Sequence, residues 1–393
     1  MLVLHSELGV LRGGGENFSR NLFAAFNALG HRVAAAFVAD PQSRYPLSLP
    51  AGIEPIPIAG WWSSNLGQSV LSAIGRRIPG ESSIHGHWER VQDALSWRTL
   101  RWHCRRFQRR VHETFAPRWK EYDAVYVHGD VTLASQVARH RPTLLRLPGP
   151  VGADVAPKLK QVHAVCANGD ALVRVRQFLG DHVTELPVGL NTELFKPGPS
   201  SVRTRLKWAD EHLVIGYVGR LARLKGVDIL ADGFRKACQR FPHARLLMVG
   251  AGEEESNLRA ALAPELKRGL VHFEPGVEHE ELPNWYRAMD LLVMASRYEN
   301  FSNAVLEGMA CGIPLLASDV GGNRMLASVS AGLLFDSGSS ASLAARLGEI
   351  VRDQGSLKHR GAVASEYVRR QSSWSQTARR LEDIIRMKLG ITA

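Results

Sequence analysis

Between residues 213 and 318 the chain alternates short apolar runs with helical stretches, and that rhythm admits few folds. The runs are Leu213-Val214-Ile215-Gly216-Tyr217-Val218, Arg245 to Val249, Leu270 to Phe273, Leu291 to Ala295 and Ile313 to Ser318. Helical patterns lie between them, from about Asp228 to Phe241, around Leu282 to Met289 and through Ala304 to Ala310. Strands separated by single helices predict an α/β domain with a parallel sheet covered on both faces. The first half repeats the idea less regularly. Strands are expected at Leu2 to His5, Arg32 to Val38, Ala124 to His128, Thr143 to Leu147, Ala164 to Cys166 and Val183 to Leu186, with a helix from Asn17 to Leu29.

Residues from about 60 to 120 break the rhythm and read as a helical insertion. Pro187-Val188-Gly189-Leu190-Asn191 and Pro197-Gly198-Pro199-Ser200-Ser201 supply turn and linker chemistry between the halves. The expected domains are therefore 1–195, 196–370 and a closing helix over 371–393 that crosses back to the first domain. A length of 393 residues suits two or three domains, and 45% hydrophobic content supplies core material, which excludes a disordered or low-complexity chain. No run of 18 uncharged apolar residues occurs, and Met1-Leu2-Val3-Leu4-His5-Ser6-Glu7 reads as a first strand rather than a signal peptide. Cys104, Cys166, Cys238 and Cys311 form no Cys-x-x-Cys pair, so a reducing, cytoplasmic location is expected, without a zinc knuckle.

The net charge is +11, and its densest source is Trp97 to Lys120, with eight basic residues and one acidic, Glu113. Read helically, Trp97, Leu100, Cys104, Phe107, Val111 and Phe115 form one stripe, and Arg98, Arg101, Arg105, Arg109 and His112 lie opposite. This is either a domain helix with its stripe in the core or a basic surface for anionic lipid headgroups or a lipid pyrophosphate acceptor. Nucleic acid is not the expected partner, because no recognised aromatic platform accompanies the charge. His85-Gly86-His87 lacks a third ligand nearby and reads as a loop, so no metal is assigned.

Two segments carry chemistry. Gly219-Arg220-Leu221-Ala222-Arg223-Leu224-Lys225-Gly226 follows a strand and places two cations where they can clamp a phosphate pair, or stand as solvated charges. Ser296 to Ala310 carries Glu299 and Glu307, with Ser302 or Asn303 as helix cap. There Glu307 is expected in the first helical turn, where it either binds sugar hydroxyls or only complements the helix dipole.

Taken together, the Gly-Arg…Lys-Gly loop, the Glu-x7-Glu segment and Gly312-Ile313-Pro314…Gly321-Gly322-Asn323 resemble the donor-binding half of family 4 glycosyltransferases. Trp374-Ser375, opening a last helix, is similar to that family's C-terminal segment, and Gly13-Gly14-Gly15-Glu16 looks like its acceptor-side loop. The resemblance implies a GT-B fold, two facing Rossmann-like domains with a cleft, and a retaining transfer of a hexose-type sugar from a UDP- or GDP-sugar. The implied acceptor is a glycan or a lipid-linked intermediate, as in bacterial surface polysaccharide synthesis, at the cytoplasmic face of a membrane. It implies Arg220 and Lys225 on the diphosphate, Glu299 facing the sugar and Glu307 on the ribose. It further implies Gly219, Asn300, Phe301, Ser302 and Asn303 near sugar or phosphate, and Gly250, Gly252, Pro275 and Val277 near the nucleoside. Gly14 and Gly15 would close over the phosphates, with Glu16 and His128 toward the acceptor.

No cofactor or metal is expected, since the chain has no Asp-x-Asp and donors aimed at the leaving phosphate can stabilise it instead. Two features depart from the family. Pro148 stands where many relatives have a histidine, and Val188-Gly189-Leu190-Asn191 replaces Asn-Gly-x-Asp. The alternatives are a nucleotide-sugar epimerase, a glucan phosphorylase, which would need a pyridoxal phosphate lysine without signal here, or a non-catalytic nucleotide-sugar-binding protein.

Overall fold

A computed structural model of the chain describes residues 1–5, 14–39, 49–59 and 104–391. The expected insertion lies within them only from residue 104; His85 and His87, with Trp97 to Arg101, fall outside. The chain divides into two compact units. The first comprises 1–167, 174–186 and 378–393, and the second 168–173 and 187–377. The change of unit thus falls at Leu186 and Pro187, earlier than the expected 195, and the return to the first unit begins at Ala378 rather than 371.

The first unit is built on seven strands: β1 (Leu2–Leu4), β2 (Val33–Ala39), β3 (Ile53–Ala59), β4 (Val125–His128), β5 (Thr143–Arg146), β6 (Ala164–Ala167) and β7 (Val183–Glu185). Their order is β3-β2-β1-β4-β5-β6-β7, and every pairing is parallel. β3 was not anticipated, because Pro55 and Pro57 argue against a strand. It pairs on one side only, at the sheet edge. The two prolines share parity, so both missing N–H donors lie on the same, unpaired edge, where they cost no ladder bond.

The second unit holds β8 (Leu213–Val218), β9 (Ala244–Val249), β10 (Val271–Glu274), β11 (Leu291–Met294), β12 (Leu315–Ser318) and β13 (Leu333–Phe335). They lie in the order β10-β9-β8-β11-β12-β13, again all parallel. β8 is buried along its whole length, as expected of a strand covered on both faces. Gly216 within it is packed so closely that an added Cβ would stand 2.0 Å from Met289 Sδ.

Each order reverses direction once, between β1 and β4 in the first unit and between β8 and β11 in the second. Ligands of open parallel sheets bind outside the strand carboxyl ends at such switch points. The loops after β8 and β11 are the two segments singled out from the sequence.

The helical residues 104–115 turn Phe107, Val111 and Phe115 into the core of the first unit, while Arg105 and Arg109 stay exposed. Over this stretch the helix has the core-stripe arrangement. Ser373 opens the closing helix Trp374–Ile384 with a reciprocal cap: Gln376 N donates to Ser373 Oγ at 3.2 Å and Ser373 N to Gln376 Oε1 at 2.9 Å. Beyond Ala378 this segment is tied to the first unit, with His31 Nε2 3.4 Å from Glu382 and Lys388 Nζ 3.2 Å from the Asp181 carbonyl. No helix among the described residues is long and apolar enough to cross a membrane.

Candidate active site

The loop after β8 is shaped by glycines. Gly226 caps the helix Val227–Cys238 at φ +66°, and an added Cβ would meet the Ala295 carbonyl at 1.8 Å. Only glycine fits there, and its absence of a side chain lets the loop lie against the end of β11. Gly250 and Gly252, in the loop after β9, play the same part toward the loop after β8: their Cβ atoms would meet the carbonyls of Gly219 and Leu221 at 2.1 and 2.3 Å. The close approach is sealed by Gly219 N donating to Val249 O at 3.0 Å and Leu221 N to Ala251 O at 2.9 Å.

Across this junction Lys225 Nζ donates to Glu299 Oε2 at 2.7 Å, and Ser296 Oγ donates to the same oxygen at 3.3 Å. Glu299 is buried, its side chain 8% exposed, while Lys225 retains 28%. A charge-assisted bond of this kind is about twice as strong as a neutral one. Arg220 is exposed and its guanidinium makes no hydrogen bond or ion pair among the described residues. Arg297, not singled out from the sequence, clamps the loop. Its guanidinium meets both oxygens of Asp228 at 2.7 Å, holding that carboxyl below its ordinary range, and donates to the Arg223 carbonyl at 2.6 Å.

The helix Asn303–Ala310 is capped by Ser302, whose hydroxyl accepts from Val305 N at 3.3 Å. Glu307 is therefore the fifth helical residue and not in the first turn, which carries no acid. The dipole reading falls with that position. Glu307 is instead buried beside Tyr286, whose hydroxyl donates to Oε2 at 2.9 Å, and Oε1 lies 3.5 Å from His279 Nε2. Burial first and then this carboxylate push the Tyr286 phenol well above its ordinary range, and Glu307 raises His279. Neither partner was foreseen, since both come from the segment 279–286, apart in the chain from the helix that carries Glu307.

The remaining expected residues scatter in role. Asn300 accepts from Asp170 N and, through Oδ1, from Ala171 N at 2.7 Å, and its carbonyl leaves no room for a Cβ at Gly169 or Gly322. Its side chain thus serves a helix start. Phe301 is half-buried, Ser302 buried as the cap and Asn303 exposed. Pro275 is exposed and Val277 half-buried, both just beyond β10. In the first unit Gly14 and Gly15 are the opening residues of the helix Gly14–Ala28, not a turn before it, and the side chain of Glu16 lies outside the described residues.

His128 closes β4 and is 5% exposed, stacked on His5 at 4.1 Å, with Nδ1 3.4 Å from Ser19 Oγ. Burial lowers His5 to about 3 and His128 well below its ordinary value, with His5 and Arg146 adding to the latter. Both rings are thus neutral at ordinary pH. Among the described residues no three His, Cys, Asp or Glu side chains are grouped to hold a metal.

A family model for glycosyl transferases group 1 matches residues 212–353. Mannosylfructose-phosphate synthase of Agrobacterium fabrum is 35% identical over 163 residues, 39% of this chain and 36% of that protein. D-inositol 3-phosphate glycosyltransferase of Thermobispora bispora is 32% identical over 242 residues, 59% of this chain and 56% of that protein. The chain thus spans between about a third and three fifths of the length of such relatives. Among solved structures, sucrose-phosphate synthase from Thermosynechococcus elongatus superposes with a TM-score of 0.74 at 20% identity, covering 100% of this chain and 99% of that one. Anabaena HepE, solved with UDP, gives 0.70 at 20% identity, with 98% of each chain covered. The fold is therefore GT-B, and residues 212–353 are similar to the group 1 glycosyl transferases.

Proposed function

We propose that the protein is a retaining glycosyltransferase that moves a hexose-type sugar from a UDP- or GDP-sugar to a hydroxyl of a glycan or lipid-linked acceptor. The observation that carries this reading is the 2.7 Å contact of Lys225 with Glu299 at the β8–β11 switch point, with Arg220 exposed on the same loop. A cation pair at one strand end suits a diphosphate, and a carboxylate at the next suits sugar hydroxyls. Glu307, on the helix that follows, suits the ribose diol. HepE, described with UDP and with UDP-glucose, supports a uridine donor. Relatives named for inositol phosphate and mannosylfructose phosphate favour phosphorylated polyols or sugars as a second acceptor class.

In the transfer, the bond between the anomeric carbon and the phosphate oxygen breaks, and the acceptor oxygen bonds to that carbon on the same face. The acceptor proton passes to the departing phosphate, so no separate base is needed. Arg220 and Lys225 act on the negative charge that grows on that phosphate, and donors so placed contribute about 2.7–4 kcal/mol each. A thermal-shift screen across UDP-, GDP-, ADP- and dTDP-sugars tests the reading, followed by nucleotide release with the stabilising donor and each acceptor class. Stabilisation by no nucleotide sugar rejects it.

The exposed Arg105 and Arg109 support a peripheral place on an anionic membrane at its cytoplasmic face. Flotation with anionic vesicles should recover the wild type and lose the variant carrying Arg105→Glu and Arg109→Glu. Failure of the wild type to float rejects that location.

A further inference from the structure

Glu307 has two carboxylate oxygens and two partners of unequal quality. Tyr286 is wholly buried and its hydroxyl donates to Oε2 at 2.9 Å, a well-formed bond. His279 stands 3.5 Å from Oε1, beyond the range of a good N–H···O contact, and half of its side chain is in solvent. Its ring rests edge-on against Phe195, with centroids 5.1 Å apart. Of the two, only His279 can swing away without stranding a buried polar group. Tyr286 therefore orients the carboxylate permanently, while the partner on Oε1 is replaceable.

A nucleoside ribose offers two hydroxyl donors and needs an ionised acceptor with an oxygen to spare. We infer that His279 is a displaceable latch on the ribose carboxylate: protonated, it holds Glu307 Oε1, and neutral, it yields that oxygen to the ribose diol. The inference rests on the donor-site reading above and adds to it a group that makes donor binding depend on pH.

The charged and titratable groups facing His279 are few. Glu307 comes from the helix Asn303–Ala310, Glu280 is its chain neighbour, and Tyr286 ends the helix Leu282–Tyr286 with a phenol that stays neutral. The apolar ring of Phe195 lies edge-on to it. Both carboxylates favour the imidazolium, Glu307 most, so the pKa of His279 is raised in the free protein. Ribose binding at Oε1 removes the largest of those attractions and releases the proton. Affinity is then highest above the free-state pKa, falls as pH drops through it, and levels off once bound and free states are both protonated.

The test is calorimetric titration of the full chain with UDP-glucose and with GDP-mannose from pH 8 to pH 6, for wild type and His279→Gln. A nucleotide sugar carries no group that titrates on that interval, so the ligand is silent. Wild-type affinity should weaken by about fivefold toward pH 6, an ordinary size for coupling between two ligands of one site, with proton release visible as a buffer-dependent heat. The His279→Gln profile should be flat. Parallel profiles in the two proteins, with the nucleotide sugar still bound, overturn the latch and leave the donor site standing. No binding of either nucleotide sugar at any pH overturns the donor-site reading and the latch with it.

Discussion

At the crossover between β8 and β11 the strand ends carry Lys225 and Glu299, ion-paired, the lysine part-exposed and the carboxylate buried, with Glu307 on the helix beyond. At the crossover between β1 and β4 they carry His5 and His128, sealed from solvent and stacked at 4.1 Å, with the Arg146 guanidinium 3.6 Å over the Phe18 ring. The same topology thus presents ionised groups in one unit and neutral rings in the other. Partners decide which: the buried Glu299 carboxylate meets the Lys225 cation at 2.7 Å, whereas the buried His5 and His128 rings meet each other beside Arg146, and burial lowers their pKa values. On the function proposed above, the second unit holds a molecule of fixed charge. The first offers shape and neutral hydrogen-bonding rings.

The contrast breaks most visibly in turnover. Arg220→Ala should lower kcat by about 10²–10³ with melting temperature little changed. Lys225→Ala should lower it as far and also lower the melting temperature by leaving the buried Glu299 carboxylate without its cation, and equal turnover losses from His128→Phe in steady-state assays would erase the asymmetry. Next in size is the glycine shelf. Gly226→Ala should cost roughly 3 kcal/mol, from a left-handed alanine and overpacking against the Ala295 carbonyl. Gly180→Ala in the first unit, at φ +54° with nothing within 4 Å of its Cβ, should cost only about 1 kcal/mol in the same denaturant titration.

Glu307→Ala should weaken nucleotide binding by about tenfold or more, the worth of a hydrogen bond to a charged group, and calorimetry showing unchanged affinity would remove the ribose contact. The pH dependence of stability belongs to the first unit's rings. His5 has its pKa lowered to about 3 on folding, so the unfolded chain takes up the proton first. Stability is then complete above the ordinary histidine range and declines as pH falls below it, by about 1.4 kcal/mol per pH unit for each such ring. His5→Phe should flatten that slope in urea melts between pH 6.5 and pH 4.

What was legible in the chain follows from how local each signal is. β8 and β11 are buried on both faces, so they read as unbroken apolar runs whatever lies around them. Ser302 or Asn303 could be read as a helix cap because capping is settled within one turn of helix, and the structure takes Ser302. β3 stayed hidden because Pro55 and Pro57 are tolerable only at an edge, and edges exist only once the sheet is assembled. The fifth-position placing of Glu307 follows from choosing Ser302 over Asn303 as the cap, a choice both side chains permit by type. Asn300 looked like a ligand group since its amide fits either role; the backbone N–H of Ala171, 129 positions away in the chain, donates to its Oδ1.

The amino-acid order alone determined the parallel α/β class, because periodicity carries that information, and its resemblance to a known family pointed to the glycine-rich loops and to Arg220, Lys225, Glu299 and Glu307. Only the tertiary structure decided that Lys225 meets Glu299 and that Glu307 shares its oxygens between Tyr286 and His279. It also decided that the histidines of the first unit are neutral. Those outcomes depend on which strand ends become neighbours and how much water is left between them, and neither quantity exists until the sheet has formed.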